Sequence, residues 1–291
     1  MKFGLNLTSK MKLLVFGGSG FVGRYILKEL GGIGTSSSGI EGFTKLDISD
    51  RLETINLVKE IKPEVVVNCS AIADVDACER DKETAMKING YSVANVVEAA
   101  KSTGSLLVHI STDYVFDGEK GDYSEEDPTN PINAYGLSKL KGEEEALKYG
   151  KAAVIRISTP FGINYGAKKK SFAEFIINNL KEGKEINVVT DQYTTSTYLG
   201  DLVKAIKELY NKKESGIFHL GIREKLSRHD FALEIADSLN RDKSLIKPSK
   251  LEDFKRIAKR PKDTSLNSEK ISRIIDITPL KEALKELSST D

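Results

Sequence analysis

The sequence predicts an α/β fold, a doubly wound parallel sheet with a smaller C-terminal domain, and three observations predict it. Short apolar runs alternate with helical patterns over the first 160 residues. A glycine-rich turn joins the first apolar run to the first helix. The chain of 291 residues has room for one large domain and an appendage, without internal repeat or low-complexity linker.

The first run, Lys12-Leu13-Leu14-Val15-Phe16, has the unbroken apolar character of a strand buried on both faces. Gly17-Gly18-Ser19-Gly20-Phe21-Val22-Gly23 follows, and residues 24–30 read as a helix. Strand, glycine turn and helix in this order form a dinucleotide-binding unit of the Rossmann type. The glycines permit a tight turn, close approach of a pyrophosphate and packing of helix on strand. The anion then meets free amides and the positive end of the helix dipole.

A second strand is expected to end near residues 34–38, and a third extended piece covers 43–48. Val65-Val66-Val67-Asn68 follows Lys62-Pro63 as another core strand, as do Leu106-Leu107-Val108-His109-Ile110 and Ala152-Ala153-Val154-Ile155-Arg156-Ile157. Helices are expected over 84–101 and 134–149. Beyond Phe161 the chain becomes more polar, with shorter elements and a helix over 228–239. Residues 1–160 are therefore read as the dinucleotide-binding domain and 161–291 as a smaller substrate-binding domain. Part of 186–222 is expected to return to the sheet. Ligands belong at the carboxyl ends of the strands, between the two domains.

Composition narrows the function classes. With 44 basic and 43 acidic residues the formal net charge is +1, which gives no electrostatic case for nucleic acid or membrane binding. No apolar stretch approaches the ~20 residues of a membrane span. Residues 1–10 lack a signal-peptide core, and Met11 just before the first strand marks them as a dispensable extension or an alternative start. The two cysteines, Cys69 and Cys78, are too few and wrongly spaced for zinc, so no metal is expected. They suit a reduced, cytoplasmic compartment. Lys168-Lys169-Lys170 reads as a solvated loop. Oligomeric state does not follow from the sequence, and a homodimer stays open.

The chemistry concentrates in Asn133-Ala134-Tyr135-Gly136-Leu137-Ser138-Lys139. Tyr135 and Lys139 are about one helical turn apart and share a face. A tyrosine with a reference pKa of ~10 is a poor proton donor or acceptor at neutral pH. An ammonium at ~4 Å favours the phenolate by roughly 4 kcal/mol at an effective dielectric of ~20. Part of that, after desolvation losses, brings the tyrosine toward the working pH. Such a pair also occurs on ordinary helix surfaces; the upstream glycine turn is what argues for catalysis.

Further motifs extend this reading: Leu46-Asp47-Ile48-Ser49-Asp50, Lys62-Pro63-Glu64-Val65, Val75-Asp76-Ala77-Cys78-Glu79, Asp191-Gln192-Tyr193 and Arg260-Pro261. The two most specific are Ser111-Thr112-Asp113-Tyr114-Val115-Phe116-Asp117-Gly118 and Asn130-Pro131-Ile132 running into the Tyr-Gly-x-Ser-Lys string. With these, residues 12–268 resemble the extended short-chain dehydrogenases/reductases and, within them, the dTDP-4-dehydrorhamnose reductase family. The resemblance implies reduction of the 4-keto group of a nucleotide-linked 6-deoxy sugar, with Thr112, Tyr135 and Lys139 as the catalytic trio. Tyr135 is implied to pass a proton to the sugar carbonyl oxygen and Thr112 to orient that oxygen. Lys139 is implied to hold the nicotinamide ribose and keep Tyr135 acidic.

The same resemblance implies that Gly17, Gly20 and Gly23 carry the pyrophosphate, joined by Phe21, Val22 and Ser36. Asp47 and Ile48 fall on the adenine side, and Cys69, Ser70 and Ala71 near the nicotinamide ribose. Ala73, Thr112, Asp113, Tyr114 and Arg260 are the implied substrate contacts, with Arg260 pairing a diphosphate or standing as a surface arginine. Asn89 is either functional or a brace for the active-site helix. Thr35, Ser36, Ser37 and Ser38 offer hydroxyls and no carboxylate where a 2′-hydroxyl is read, which favours NADPH and leaves NADH possible. Arg24 is a candidate phosphate contact or an exposed helix arginine.

The chain departs from the family pattern at Ala73, where a polar residue is usual, and at Ser196, where a proline is usual. It also has no tryptophan after Arg156-Ile157-Ser158. These departures leave the exact sugar open. The alternative class is a non-catalytic NADP-binding regulatory subunit resembling the β subunit of methionine adenosyltransferase. A dehydratase fits less well, because Asp113-Tyr114 does not supply the usual Asp-Glu pair.

Overall fold

The computed structural model describes residues 11–288, so the expectation for residues 1–10 lies outside it. The strands are β1 Leu13–Phe16, β2 Ile33–Ser36, β3 Thr44–Lys45, β4 Val65–Asn68, β5 Leu106–Thr112, β6 Ala152–Ile157, β7 Ile186–Val189, β8 Tyr193–Thr194, β9 Gly216–Leu220, β10 Leu226–Ser227 and β11 Ile246–Ser249. The α-helices are α1 Phe21–Leu30, α2 Arg51–Ile61, α3 Val75–Arg80, α4 Lys82–Ala85, α5 Val93–Thr103, α6 Ala134–Leu147, α7 Phe172–Lys181, α8 Leu199–Lys212, α9 Arg228–Ser238, α10 Glu269–Ser272 and α11 Leu280–Ser288.

Seven strands form one sheet in the order β3-β2-β1-β4-β5-β6-β9, with every neighbouring pair parallel. This is the doubly wound Rossmann-type sheet. Alternation within its strands feeds two cores. Leu13, Val15, Val65 and Val67 face α1 and α8, whereas Leu14, Phe16 and Val66 face α2 and α5. Burial on both sides is why these strands read as continuous apolar runs. A third cluster joins α7, β7, α9, β11 and α11 away from the main sheet. There β7 pairs parallel with β11, and β8 pairs antiparallel with β10. Of residues 186–222, β9 joins the main sheet and α8 packs on α1. Among the described residues no helix is long and apolar enough to cross a membrane.

Side chains set the helix starts. Asp50, Asp74, Asn133, Ser171 and Ser227 each accept an amide from the first turn of the helix that follows. The helix expected over 84–101 is not continuous: α4 passes into a π-helical turn, Met86–Tyr91, before α5 begins. The wider turn holds Asn89 in the interior, where its side chain accepts from the Ile72 amide (2.8 Å) and donates to the Ile72 carbonyl (3.1 Å) and the Ser138 hydroxyl (3.0 Å). Asn89 therefore braces α6, one of the two roles expected for it.

Candidate active site

The strand order reverses between β1 and β4, and Phe16 pairs with Asn68 there. The glycine turn and the Cys69-Ser70-Ala71 loop thus leave the sheet side by side, at the place where such sheets bind ligands. Gly17 has φ +69°, and a Cβ there would lie 2.7 Å from the Ser70 nitrogen. A Cβ on Gly23 would lie 2.5 Å from the Gly17 carbonyl oxygen. Gly20 precedes α1 in an extended conformation without a side-chain cap, and no acidic residue occupies the first turn. The turn accordingly offers free amides and a positive helix end to an anion.

The flanking candidates surround this turn. Phe21 and Val22 are half-buried at the start of α1. Ser36 is buried at the end of β2, with its hydroxyl bonded to Ser19 (3.1 Å) and Ser38 (3.2 Å). Asp47 is exposed and accepts the Ser49 amide, while Ile48 is buried in the core beneath it. Cys69 and Ser70 are half-buried and Ala71 is exposed. Asn68 holds their loop by accepting the Ser70 amide at 3.1 Å. Arg24 is half-buried rather than an exposed helix arginine. It donates to the carbonyls of Ser19 (3.0 Å) and Tyr165 (3.2 Å), and its guanidinium lies 4.8 Å from the Phe43 ring centre.

β5 ends on Thr112, whose hydroxyl accepts the Tyr114 amide at 3.2 Å and closes a 3₁₀ turn, Asp113–Val115. Asn133 starts α6 by accepting the Gly136 amide at 2.8 Å. A Cβ on Gly136 would run into the Tyr114 carbonyl, and one on Gly142 into the Asn89 carbonyl. Two glycines thus let α6 press against the end of β5 and the π-helical turn. This contact sets Tyr135 beside Thr112 at the end of β5, close enough for the threonine hydroxyl to act on the phenol. The Tyr114 ring stands edge-on to Tyr135 with centres 6.0 Å apart, and Gln192 fixes the Tyr114 hydroxyl by donating at 3.1 Å.

Burial pushes the Tyr135 phenol well above its ordinary range, and the Thr112 hydrogen bond opposes the shift. Lys139 is 3% exposed and donates to the Ile110 carbonyl at 2.7 Å. Burial lowers its pKa to about 8, against the Glu143 carboxylate. In this arrangement the Lys139 ammonium is held by the Ile110 carbonyl. One-turn spacing placed the two residues on one face, but the Ile110 carbonyl decides where the ammonium points. The leading influences on Tyr135 are burial and Thr112.

The implied substrate contacts divide. Thr112 and Tyr114 stand beside Tyr135, whereas Ala73 is exposed on a loop and its carbonyl accepts from Lys169 at 2.9 Å. The lysine run therefore reaches back across the loop after β4. Arg260 donates from one nitrogen to Asp76 (3.1 Å) and to the Ala258 carbonyl (2.9 Å), so the structure gives it an ion pair within the protein. Asp113 is 4% exposed, and Thr112, Ser158 and Thr264 already serve its two oxygens.

Sequence reasoning missed the layer behind Lys139. Glu143, one turn further along α6, pairs with Arg156 of β6 at 2.7 Å, both side chains being almost fully buried. Glu143 also accepts from Ser111, next to Thr112. Arg156 Nη1 lies 3.2 Å from His219 Nε2, and His219 Nδ1 lies 2.8 Å from the Tyr123 carbonyl. Burial and Arg156 hold His219 at a pKa of about 3, so it is neutral, with Nδ1 donating and Nε2 accepting. The available signal was an arginine inside an apolar strand, which needs a buried partner. Among the described residues no cluster of three or more metal-ligating side chains occurs.

Known proteins share this architecture. A dTDP-4-dehydrorhamnose reductase of Aggregatibacter actinomycetemcomitans is 32% identical, over 92% of this chain and 94% of its own length. The methionine adenosyltransferase 2 subunit beta of Danio rerio is 30% identical, over 96% of this chain and 90% of its own. The crystal structure of dTDP-4-dehydrorhamnose reductase from Bacillus anthracis, in complex with NADP, superposes with a TM-score of 0.88 at 29% identity, covering 97% of this chain and 100% of that one. The model of the RmlD substrate binding domain matches residues 11–290. With the match spanning both the glycine turn and the Tyr135–Lys139 helix, the chain belongs to the RmlD substrate binding domain family, the family of the dTDP-4-dehydrorhamnose reductases.

Proposed function

We propose that this protein is an NAD(P)H-dependent reductase of the 4-keto group of a nucleotide-linked 6-deoxy sugar, converting dTDP-4-dehydrorhamnose to dTDP-L-rhamnose. The observation that carries the reading is the Tyr135 hydroxyl in contact with Thr112, with Lys139 buried one turn behind, at the carboxyl end of β5. Beside it, the glycine turn fits a dinucleotide pyrophosphate through uncapped amides, in a turn packed so closely that a Cβ on Gly17 or Gly23 would meet protein backbone. The Ser19-Ser36-Ser38 hydroxyls, with no carboxylate among residues 33–38, favour NADPH over NADH. The bound nicotinamide supplies the hydride.

The protein supplies position and the proton. Thr112 donates a hydrogen bond to the carbonyl oxygen and holds it next to the Tyr135 hydroxyl. Tyr135, kept protonated by burial, delivers its proton to that oxygen as negative charge develops there. The Lys139 ammonium stabilises the phenolate left behind and binds the ribose when it turns from the Ile110 carbonyl. Residues 161–291 are the substrate-facing part in this reading, with β9 lent to the sheet. A nucleotide sugar is thus the proposed ligand.

The test is oxidation of NADPH and NADH with dTDP-4-dehydrorhamnose, for the wild type beside Tyr135→Phe. Turnover that falls by about 10²-fold or more in the variant establishes reductase and proton donor together. Tight NADP binding without turnover refutes the substrate assignment. The likeness to the methionine adenosyltransferase β subunit favours a second reading, a regulatory NADP-binding subunit. Stable capture of a methionine adenosyltransferase catalytic subunit, with no sugar turnover, would select it.

A further inference from the structure

The two oxygens of the buried Asp113 carboxyl are used unequally. Oδ2 faces two hydroxyls, Ser158 at 2.7 Å and Thr264, whereas Oδ1 meets, among the described residues, Thr112 Oγ1 alone, at 3.1 Å. These partners come from three separate parts of the chain: the end of β5, the residue after β6, and the segment following Arg260-Pro261. Ser158 also touches Thr194 of β8.

A threonine hydroxyl has one proton to give and two lone pairs. Thr112 Oγ1 already accepts the Tyr114 amide. If its proton goes to Asp113, none is left for a substrate oxygen. A proton on Asp113 Oδ1 reverses the chain: Asp113 donates to Thr112, and Thr112 donates onward, toward the side on which it acts on Tyr135. The unequal pattern suits this form, since the carbonyl oxygen of a neutral carboxyl takes two donors while its hydroxyl oxygen gives one.

We propose that Asp113 is a positioning residue, carrying its proton on Oδ1 and thereby aiming the Thr112 hydroxyl at the reacting carbonyl oxygen. This rests on the reductase reading above and replaces the sugar contact that the sequence implied for Asp113. Burial raises the carboxyl above its usual range, against the hydroxyls of Thr264, Ser158 and Thr112 and the Arg228 guanidinium at the start of α9. Tyr135 of α6 is a further titratable group that interacts with it.

Two measurements on the full chain decide the matter. In protein labelled with ¹³C at the aspartate carboxyl carbons, the Asp113 resonance is identified by its loss in Asp113→Asn. It is expected at the protonated position at the pH of the turnover assay, above the ordinary aspartate value of ~3.9. An ionised resonance there overturns the proposal, whatever the substrate. In turnover, Asp113→Ala is expected to lower kcat by about 10²-fold with little change in KM, as loss of an oxyanion donor does. Asp113→Asn, whose amide donates permanently to Thr112, is expected to recover most of that loss. Equal kcat losses in both variants, or a loss confined to KM, overturn the proposal. A wild type inactive on the sugar counts against the reductase reading instead, and the resonance still decides the proton.

Discussion

The Glu143–Arg156 pair is the most consequential contact behind the site, and Glu143→Gln tests it. Both side chains are nearly inaccessible, and the Arg156 guanidinium meets Glu143, the His219 ring nitrogen and the face of Phe116 at 5.1 Å. Replacing the carboxylate with an amide preserves shape and leaves a buried charge uncompensated, a loss of about 3–5 kcal/mol. An unfolding entropy of ~2.1 cal/mol/K per residue, over the 291 residues, gives roughly 0.6 kcal/mol/K. The melting temperature should then fall by about 5–8 °C. Scanning calorimetry at fixed pH and protein concentration measures it. The double variant Glu143→Leu with Arg156→Met removes both charges and should recover most of the loss, since apolar replacement of a buried pair is often neutral. A single variant that melts within about 2 °C of the wild type, or a double variant no better than the single, refutes the reasoning.

Two further predictions concern the cofactor side. Lys139 titrates at about 8, so its positive charge is present below that pH and is lost above it. NADP affinity measured by calorimetric titration should therefore weaken as pH rises through about 8, and at a lower pH in Glu143→Gln, because Glu143 holds the Lys139 value up. A flat affinity profile across that range would exclude Lys139 from cofactor binding. Gly17→Ala places a side chain at φ +69° and 2.7 Å from the Ser70 nitrogen, with a backbone cost alone of about 1–2 kcal/mol. NADP should bind about tenfold more weakly or worse, with the fold retained by circular dichroism; unchanged affinity would mean that the pyrophosphate does not cross this turn.

Much of this protein follows from local sequence. A strand buried on both faces must be apolar at consecutive positions, so Leu13–Phe16, Val65–Asn68 and Ala152–Ile157 are legible without knowledge of their neighbours. The glycine turn and the four-residue spacing of Tyr135 and Lys139 are equally local, because backbone geometry alone sets which side chains share a face. What the tertiary structure decided depends on partners far apart in the chain. Arg260 found Asp76, 184 positions away, and Thr264 found Asp113, 151 positions away. The Ile110 carbonyl claimed the Lys139 ammonium, and Asn89 turned inward only because α4 and α5 meet through a π-helical turn. Buried polar groups must be satisfied, but sequence spacing does not say by whom. The residue types of the candidate site were therefore readable from the chain. Their hydrogen-bond partners, Asp113 for Thr112 and the Ile110 carbonyl for Lys139, were set when the strand ends, α6 and the segment after Arg260 packed together.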